Sequence, residues 1–414
     1  MELKRVVVTG LGALTPIGNN VREYWDALQS GTSGAAPITR FDASLFKTRF
    51  ACEVKGFNAA DFFDRKEARK MDLFSQFAMV VADEAFKDAK LENAFDPDRV
   101  GVIWGSGIGG LQTFQDECME FARGDGTPRF NPFFIPKMIA DIASGHISIK
   151  YGLRGPNYTT VSACASSTNA IIDSFNLIRL GKADVMLTGG SEAAVNEAGI
   201  GGFNALHALS TNNDNYATAS RPFDVTRDGF VLGEGAGALI LEEYEHAKAR
   251  GATIYCELAG GGMSADAHHI TAPHPEGLGA TKVMENALSD AELNPEDVDY
   301  INVHGTSTPL GDISESQAIK AVFKDHAYKL NISSTKSMTG HLLGAAGAIE
   351  ALACIMAISE GVIAPTINHK EFDDKIDNNL NFTLNKAQKR KVDVAMSNTF
   401  GFGGHNTSAI FKAI

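Results

Sequence analysis

The stretch Tyr158-Thr-Thr-Val-Ser-Ala-Cys164-Ala-Ser-Ser-Thr-Asn-Ala-Ile-Ile172 decides how the rest of this chain is read. Tyr158–Val161 is a strand-like approach, small residues follow, and a helical run begins just after Cys164. Asp184–Leu187 then reads as the next strand. Moving outward, Arg5–Thr9, Val100–Trp104 and Ala238–Leu241 repeat the short β-branched strand pattern, as do Tyr255–Leu258, Tyr300–Val303, Leu330–Ile332, Val392–Met396 and Thr407–Phe411. Gly279–Ala291, Ser314–Phe323 and Gly347–Ser359 read as helices. Strands alternating with helices predict a layered α/β fold with largely buried sheets.

A weak two-fold organisation is visible in this pattern. The Cys164 segment opens one helix; His341-Leu-Leu-Gly-Ala-Ala-Gly-Ala-Ile349 opens another of the same small-residue character. The polar Lys248–Ala252 segment, with its glycine, reads as the boundary, giving an N-terminal half over 1–251 and a C-terminal half over 252–414. No Pro- or Ser-rich linker separates them, so the halves are expected to pack tightly.

Composition narrows the class of function. Of 414 residues, 44% are hydrophobic and 21% charged, a mix that suits a large packed core and excludes a disordered or fibrous chain. Lys plus Arg is 37 against 50 for Asp plus Glu, a net charge of −13, which argues against nucleic-acid binding. The five cysteines (Cys52, Cys118, Cys164, Cys256, Cys354) are scattered and form no C-x-x-C pair, which fits a reducing, cytoplasmic setting rather than a disulfide or zinc scaffold. Val6–Val8 is too short for a signal-peptide core, and apolar runs such as Ala351–Ile358 fall short of the ~20 residues that span a membrane.

Glycine-rich turns are expected after three strands, at Gly10-Leu-Gly12, Gly105-Ser-Gly107-Ile-Gly109-Gly110 and Gly189-Gly190. Thr15 stands where a dinucleotide fingerprint needs glycine, and no P-loop lysine follows, so no nucleotide cofactor is expected. His268, His269 and His274 cluster without an acidic or cysteine partner at a ligand spacing, so no metal is expected either.

Cys164 falls at a strand-to-helix turn, where the field of the helix N-terminus favours a thiolate, the nucleophilic form of cysteine. By position alone, a buried inert cysteine is the commoner outcome. A nucleophile needs a partner. His304 follows a strand directly in Asn302-Val-His304-Gly-Thr306-Ser-Thr308-Pro-Leu-Gly-Asp312, and His341 precedes a helix in Lys336-Ser-Met-Thr-Gly340-His341. Both lie at element ends, where ligands gather in α/β sheets. Arg65, Lys66, Arg69 and Lys70 would form one basic face on a helix, either a docking patch or an ordinary solvated surface.

These motifs together resemble the β-ketoacyl-[acyl-carrier-protein] synthases of the thiolase-like superfamily. Cys164, His304 and His341 look like that family's Cys-His-His set. Arg221-Pro-Phe-Asp-Val-Thr-Arg-Asp-Gly-Phe-Val-Leu-Gly-Glu-Gly-Ala-Gly237 resembles its central signature, and Ser397-Asn-Thr-Phe-Gly-Phe-Gly-Gly-His-Asn406 its C-terminal glycine loop. The resemblance runs from Arg5 to Phe411. The N-terminal segment and Arg69-Lys-Met-Asp-Leu-Phe74 look most like the synthase II branch, which elongates long chains.

The resemblance implies two similar βαβαβαββ halves packed as five layers, α-β-α-β-α, in a homodimer. It implies a decarboxylating Claisen condensation that adds two carbons to a fatty acyl chain. Cys164 would carry the acyl group, and His304 and His341 would donate to the enolate of malonyl-carrier protein. The backbone N–H groups of Cys164 and Phe402 would hold the tetrahedral oxyanion, with Phe402 also a gate. Lys336 would support the site with Asp312, Glu315 and Glu350, three acids that without the family context read as surface or helix-capping charges. Thr306 and Thr308 would bind the pantetheine arm, and Ile108 and Phe400 would line the acyl site. The implied partner is acyl carrier protein, docking at Arg65, Lys66, Arg69 and Lys70, or otherwise around Arg129 and Lys137. No cofactor beyond the carrier's own 4'-phosphopantetheine is implied, and no nucleic acid, metal or membrane. A histidine at 341 separates the chain from the Cys-His-Asn type III synthases, and the lack of a cysteine in Gly401–Asn406 separates it from thiolases. A ketosynthase of a polyketide or aryl polyene pathway, or a non-catalytic chain-length-factor-like partner, shares the fold; the latter would lack the nucleophile.

Overall fold

A computed structural model describes residues 3–91 and 95–414. Ten strands form the framework: β1 Val6–Leu14, β2 Val100–Gly105, β3 Asn157–Thr160, β4 Val185–Glu192, β5 Gly235–Glu243, β6 Cys256–Ala265, β7 Tyr300–Asn302, β8 Asn331–Ser333, β9 Val394–Gly401 and β10 His405–Lys412. Seven helices matter for the site: α1 Leu73–Asp88, α2 Leu111–Arg123, α3 Ile142–Tyr151, α4 Ser166–Arg179, α5 Leu278–Asp290, α6 Pro309–Phe323 and α7 Ala346–Glu360.

The strands lie in the order β8-β7-β9-β10-β6-β1-β5-β4-β2-β3. Each five-strand set repeats one order, third-second-fourth-fifth-first by position in the chain. The two first strands, β1 and β6, pair antiparallel at Val7–Glu257 and Val8–Cys256 and join the sets. In the N-terminal set β2 runs parallel to β3 and β4, and β5 runs antiparallel to β4 and β1. The C-terminal set repeats this, with β7 parallel to β8 and β9, and β10 antiparallel to β9 and β6.

Helices α4 and α7 touch each other and both strand sets, forming the middle layer; α1 and α3 cover the N-terminal set outside, and α5 and α6 the C-terminal set. This is the five-layer arrangement. All nine residues of β1 and all eight of β4 are buried, as covering on both faces requires.

The glycines of β1 and β4 differ from expectation. Gly10, Gly12, Gly189 and Gly190 lie inside strands rather than in turns. A Cβ on Gly10 would stand 2.4 Å from the Ala85 carbonyl oxygen, and one on Gly12 2.1 Å from that of Val81. The missing side chains let α1 settle directly on β1. Asp88 and Glu84 on α1 accept hydrogen bonds from the Leu11 and Ala13 N–H groups at 2.9 and 2.8 Å.

The apolar run in α7 also reads differently. Leu343–Glu360 is a continuous 18-residue stretch long and apolar enough to cross a membrane, but 83% of it is buried inside the protein. Its apolarity serves the central layer, where every residue from Ala346 to Ala357 is buried.

Candidate active site

Cys164 sits in a short 3₁₀ turn, Ala163–Ala165, between β3 and α4. Ala163 has φ +52°, a strained conformation for a residue with a side chain. Gly401 packs against this elbow; a Cβ there would stand 2.7 Å from the Ser162 carbonyl oxygen. The glycine thus brings the Phe402 N–H up to the sulfur.

The structure unites the three expected residues. His341 Nε2 lies 3.0 Å from Cys164 Sγ. The His304 and His341 rings are 5.3 Å apart and nearly perpendicular. Phe230 packs edge-on against His341 at 5.3 Å, and Phe400 lies 5.7 Å from His304. All three residues line a cavity of about 530 Å³, together with Ile108, Thr306, Thr308, Phe400 and Phe402.

Electrostatics modify the expectation of a resting thiolate. Burial pushes the Cys164 thiol up to about 12, while Lys336 and the Phe402 N–H pull the other way. Desolvation is the larger influence and favours the thiol over the thiolate. Burial, reinforced by the Lys336 charge, holds His304 and His341 well below the usual imidazole range, so both rings are neutral. A neutral imidazole can accept a proton from sulfur or donate its own N–H.

The charged residues form a buried layer behind the histidines. Lys336 pairs with Glu350. Burial pushes the Glu350 carboxyl up and Lys336 resists it. Glu315 accepts the His304 and Gly305 N–H groups at 2.9 and 2.8 Å and so fixes the histidine turn. Asp312 accepts the Phe223 N–H at 2.9 Å and pairs with Arg227 at 3.2 Å. None of these acids lies on the surface or caps a helix exposed to solvent.

Thr306 Oγ1 and Thr308 Oγ1 are 3.0 Å apart at the cavity wall. Ser307 between them has φ +68° and is clamped by two hydrogen bonds, Arg221 N–H to its Oγ and Gly229 N–H to its carbonyl. The 221–237 signature is therefore the scaffold of the threonine pair.

Sequence reasoning missed two residues. Arg227, almost fully buried, ties Asp312 to Asp373 at 2.8 Å and donates to the Pro309 carbonyl; its presence in the signature was the available signal. Glu192, at the end of β4, is fully buried beneath the Ile108 turn, and burial lifts its carboxyl to about 7 against four hydrogen-bond donors. Gly190-Ser-Glu192 carried no signal that its carboxylate turns inward.

The basic group lies elsewhere. Only Arg65–Ala68 is helical; Arg69 caps this single turn and Lys70 follows in another, its N–H bonded to the Glu67 carbonyl. The expected single basic helix face is thus a compact exposed turn, interrupted by Glu67. Lys70 Nζ stands 5.9 Å above the Phe133 ring. His269 and His274 accept backbone N–H groups through Nδ1, and among the described residues no three His, Cys, Asp or Glu side chains group to hold a metal.

An elbow cysteine facing two neutral histidines, in a cavity built by two repeated five-strand sets, defines a condensing-enzyme type of site on a thiolase-like fold. The family model "Beta-ketoacyl synthase, N-terminal domain" matches residues 3–247, and "Beta-ketoacyl synthase, C-terminal domain" matches 255–370. The chain belongs to the β-ketoacyl synthase family. It is 52% identical over 413 residues to the 3-oxoacyl-[acyl-carrier-protein] synthase 2 of Synechocystis, covering 100% of this chain and 99% of that one. The solved β-ketoacyl synthase of Burkholderia phymatum superposes with a TM-score of 0.91 at 36% identity, covering 99% and 100%. A type II PKS ketosynthase solved with its acyl-carrier protein, bound to the hexaketide, gives 0.90 at 34% identity over the whole of both chains.

Proposed function

We propose that this chain is a β-ketoacyl-[acyl-carrier-protein] synthase of the second type, an acyltransferase that elongates fatty acyl chains by decarboxylating Claisen condensation. The observation that carries the reading is Cys164 Sγ 3.0 Å from Nε2 of a neutral, buried His341.

In the first half-reaction the thiol attacks the acyl thioester of a loaded carrier protein. A new C–S bond forms to Cys164, the carrier's C–S bond breaks, and the thiol proton ends on the departing carrier thiolate. Covalent capture divides one hard step into two. Malonyl-carrier protein then enters. Its C–C bond to the carboxylate breaks, carbon dioxide (or bicarbonate, after water attack) leaves, and the electron pair becomes an enolate whose oxygen takes N–H bonds from His304 and His341. The enolate carbon attacks the acyl carbonyl. Backbone N–H groups of Cys164 and Phe402 hold the tetrahedral oxygen until Cys164 is expelled as a thiolate, which takes a proton from solvent to return to the thiol, and the 3-oxoacyl product, two carbons longer, remains on the carrier.

Lys336, with Glu350, reinforces the burial that keeps both histidines neutral; Glu315 and Asp312 hold the turns that present His304, Thr306 and Thr308. The threonine pair takes the pantetheine arm, Ile108 and Phe400 line the acyl chain's path, and Phe402 gates the nucleophile. The chemistry needs no resident cofactor, since the pantetheine arm arrives on the substrate. Residues 1–251 supply the nucleophile and 252–414 the histidines, acting as one module. The acidic carrier docks at Arg65, Lys66, Arg69 and Lys70, a basic island on an acidic protein. The chain works in the cytoplasm as a homodimer. Supporting the dimer, β3 is the last strand of its set, beside exposed Tyr158, Val161 and Ile149. A chain-length-factor role has no support in a site that keeps Cys164 opposite His341, and the polyketide neighbour is less similar than the synthase 2 relative.

Condensation assays with acyl-carrier proteins of graded length and malonyl-carrier protein test the reading: long-chain primers should be extended, and a protein that extends none of them is not this enzyme.

A further inference from the structure

The Cys164 elbow has a twin. Leu343 has φ +47°, as Ala163 has φ +52°; each opens a three-residue 3₁₀ turn, Leu343–Ala345 or Ala163–Ala165, that leads straight into a central helix. Counting from the strained residue, Gly344 occupies the place of Cys164. In the first elbow, backbone N–H groups converge on the reacting sulfur. In the twin, the Gly344 N–H meets the Gly107 and Ile108 N–H groups, and together they point at one acceptor, the Glu192 carboxylate.

The geometry is tight. Glu192 Oε2 accepts from Gly107 N at 2.7 Å and Gly344 N at 3.0 Å; Oε1 accepts from Ile108 N at 3.1 Å and Ser106 Oγ at 3.2 Å. A Cβ on Gly344 would stand 2.2 Å from Gly107 N and one on Gly107 2.8 Å from Glu192 Oε2, so only glycine lets the two turns approach this closely around the carboxylate. Glu192 therefore fills an anion nest at the junction of the Ile108 turn and the turn that follows His341. Ile108 faces the main cavity on one side and a second apolar space of about 350 Å³, lined by Leu111, Phe114 and Met138, on the other.

We propose that Glu192 is a positioning residue: by locking the Ser106–Ile108 turn to the Leu343–Ala345 turn, it fixes Ile108 between these two spaces and so sets which acyl chain lengths Cys164 accepts. The inference rests on the acyl-transfer reading above. With the carboxylate removed, three N–H groups lose their shared acceptor and the Ile108 turn is free to move, while Cys164 and His341 keep their own contacts. Short chains that end before Ile108 should then be affected little, and long chains strongly.

The test is single-turnover acylation of Cys164 by short- and long-chain acyl-carrier proteins, in the wild type, Glu192→Gln and Glu192→Ala, with and without added formate. The long-to-short rate ratio is expected to move at least tenfold in Glu192→Ala and less in Glu192→Gln. Formate should restore part of the ratio by refilling the nest. If Glu192→Ala does not fold, Glu192→Gln, of equal size, and Gly107→Ala, which pushes on the same turn with the carboxylate intact, carry the measurement. A ratio that stays constant in every folded variant, or rates that fall equally for both lengths, overturns the proposal. A wild type that accepts no acyl group at all overturns the acyl-transfer reading instead.

Discussion

The buried centre around Lys336 and the exposed basic turn at Arg65–Lys70 are two charged regions of this protein, and they obey opposite physics. In the centre, charge is buried and paired: burial keeps both histidines uncharged, and Lys336, held against Glu350, reinforces that. On the turn, charge is exposed and acts at a distance through screened solvent. Removing one buried group should therefore change chemistry by orders of magnitude, and removing one exposed group should change encounter alone.

The largest effect is expected at the nucleophile. Cys164→Ala should abolish condensation, while Cys164→Gln, whose amide imitates the acyl group, should still release carbon dioxide from malonyl-carrier protein. Residual condensation in Cys164→Ala would mean that the centre does not work by covalent capture.

Next come the histidines. His304→Ala and His341→Ala each remove a donor to the enolate, a loss on the order of 10²–10³ in rate. Labelled malonyl substrate should show this deficit in decarboxylation, with a smaller one in acylation of Cys164. Equal deficits in both half-reactions would recast that histidine as a general base alone.

Lys336→Met sharpens the electrostatic half of the comparison. The lysine charge disfavours imidazolium, so its loss should raise both histidine pKa values and move the acid limb of the decarboxylation profile to higher pH. Breaking a buried pair should also destabilise the fold by about 3–5 kcal/mol. An unmoved acid limb in folded protein would show that burial alone keeps the rings neutral.

What could be read from the sequence divides along the same line. The strands and the central helices were legible because each rests on local pattern, β-branched runs and small residues at a helix start; Cys164, His304 and His341 stood out at element ends, but only the family resemblance joined them as a set. Gly10 and Gly189 were misread because a glycine in a turn and one under a helix look alike until α1 and the neighbouring strand are in place. The burial that opposes a thiolate at Cys164 could not be read, because a helix terminus is visible in sequence and burial is not. Glu192 and the pairing of Arg227 with Asp312 went unread because the partners are backbone groups and side chains distant in the chain, although Asp312 and the 221–237 signature were each visible on their own.

The smallest effect belongs to the exposed turn. Reversing Lys66 and Arg69 to Glu should raise the apparent KM for carrier-bound substrates a few-fold through slower association. Turnover of a short acyl-pantetheine should hardly change. The wild-type KM should climb with salt, because screening acts over only ~8 Å at 0.15 M. If both substrates suffer alike, the turn is structural and docking lies elsewhere, for instance around Arg129 and Lys137.

The most direct measurement follows the carboxylate carbon. Wild-type protein is charged with an acyl group at Cys164 and given malonyl-carrier protein labelled in its free carboxyl. The expected result is a 3-oxoacyl-carrier protein two carbons longer than the primer, with all of the label in carbon dioxide or bicarbonate. Label retained in the product, or release of the primer as a free acid without extension, would contradict decarboxylating condensation at this site.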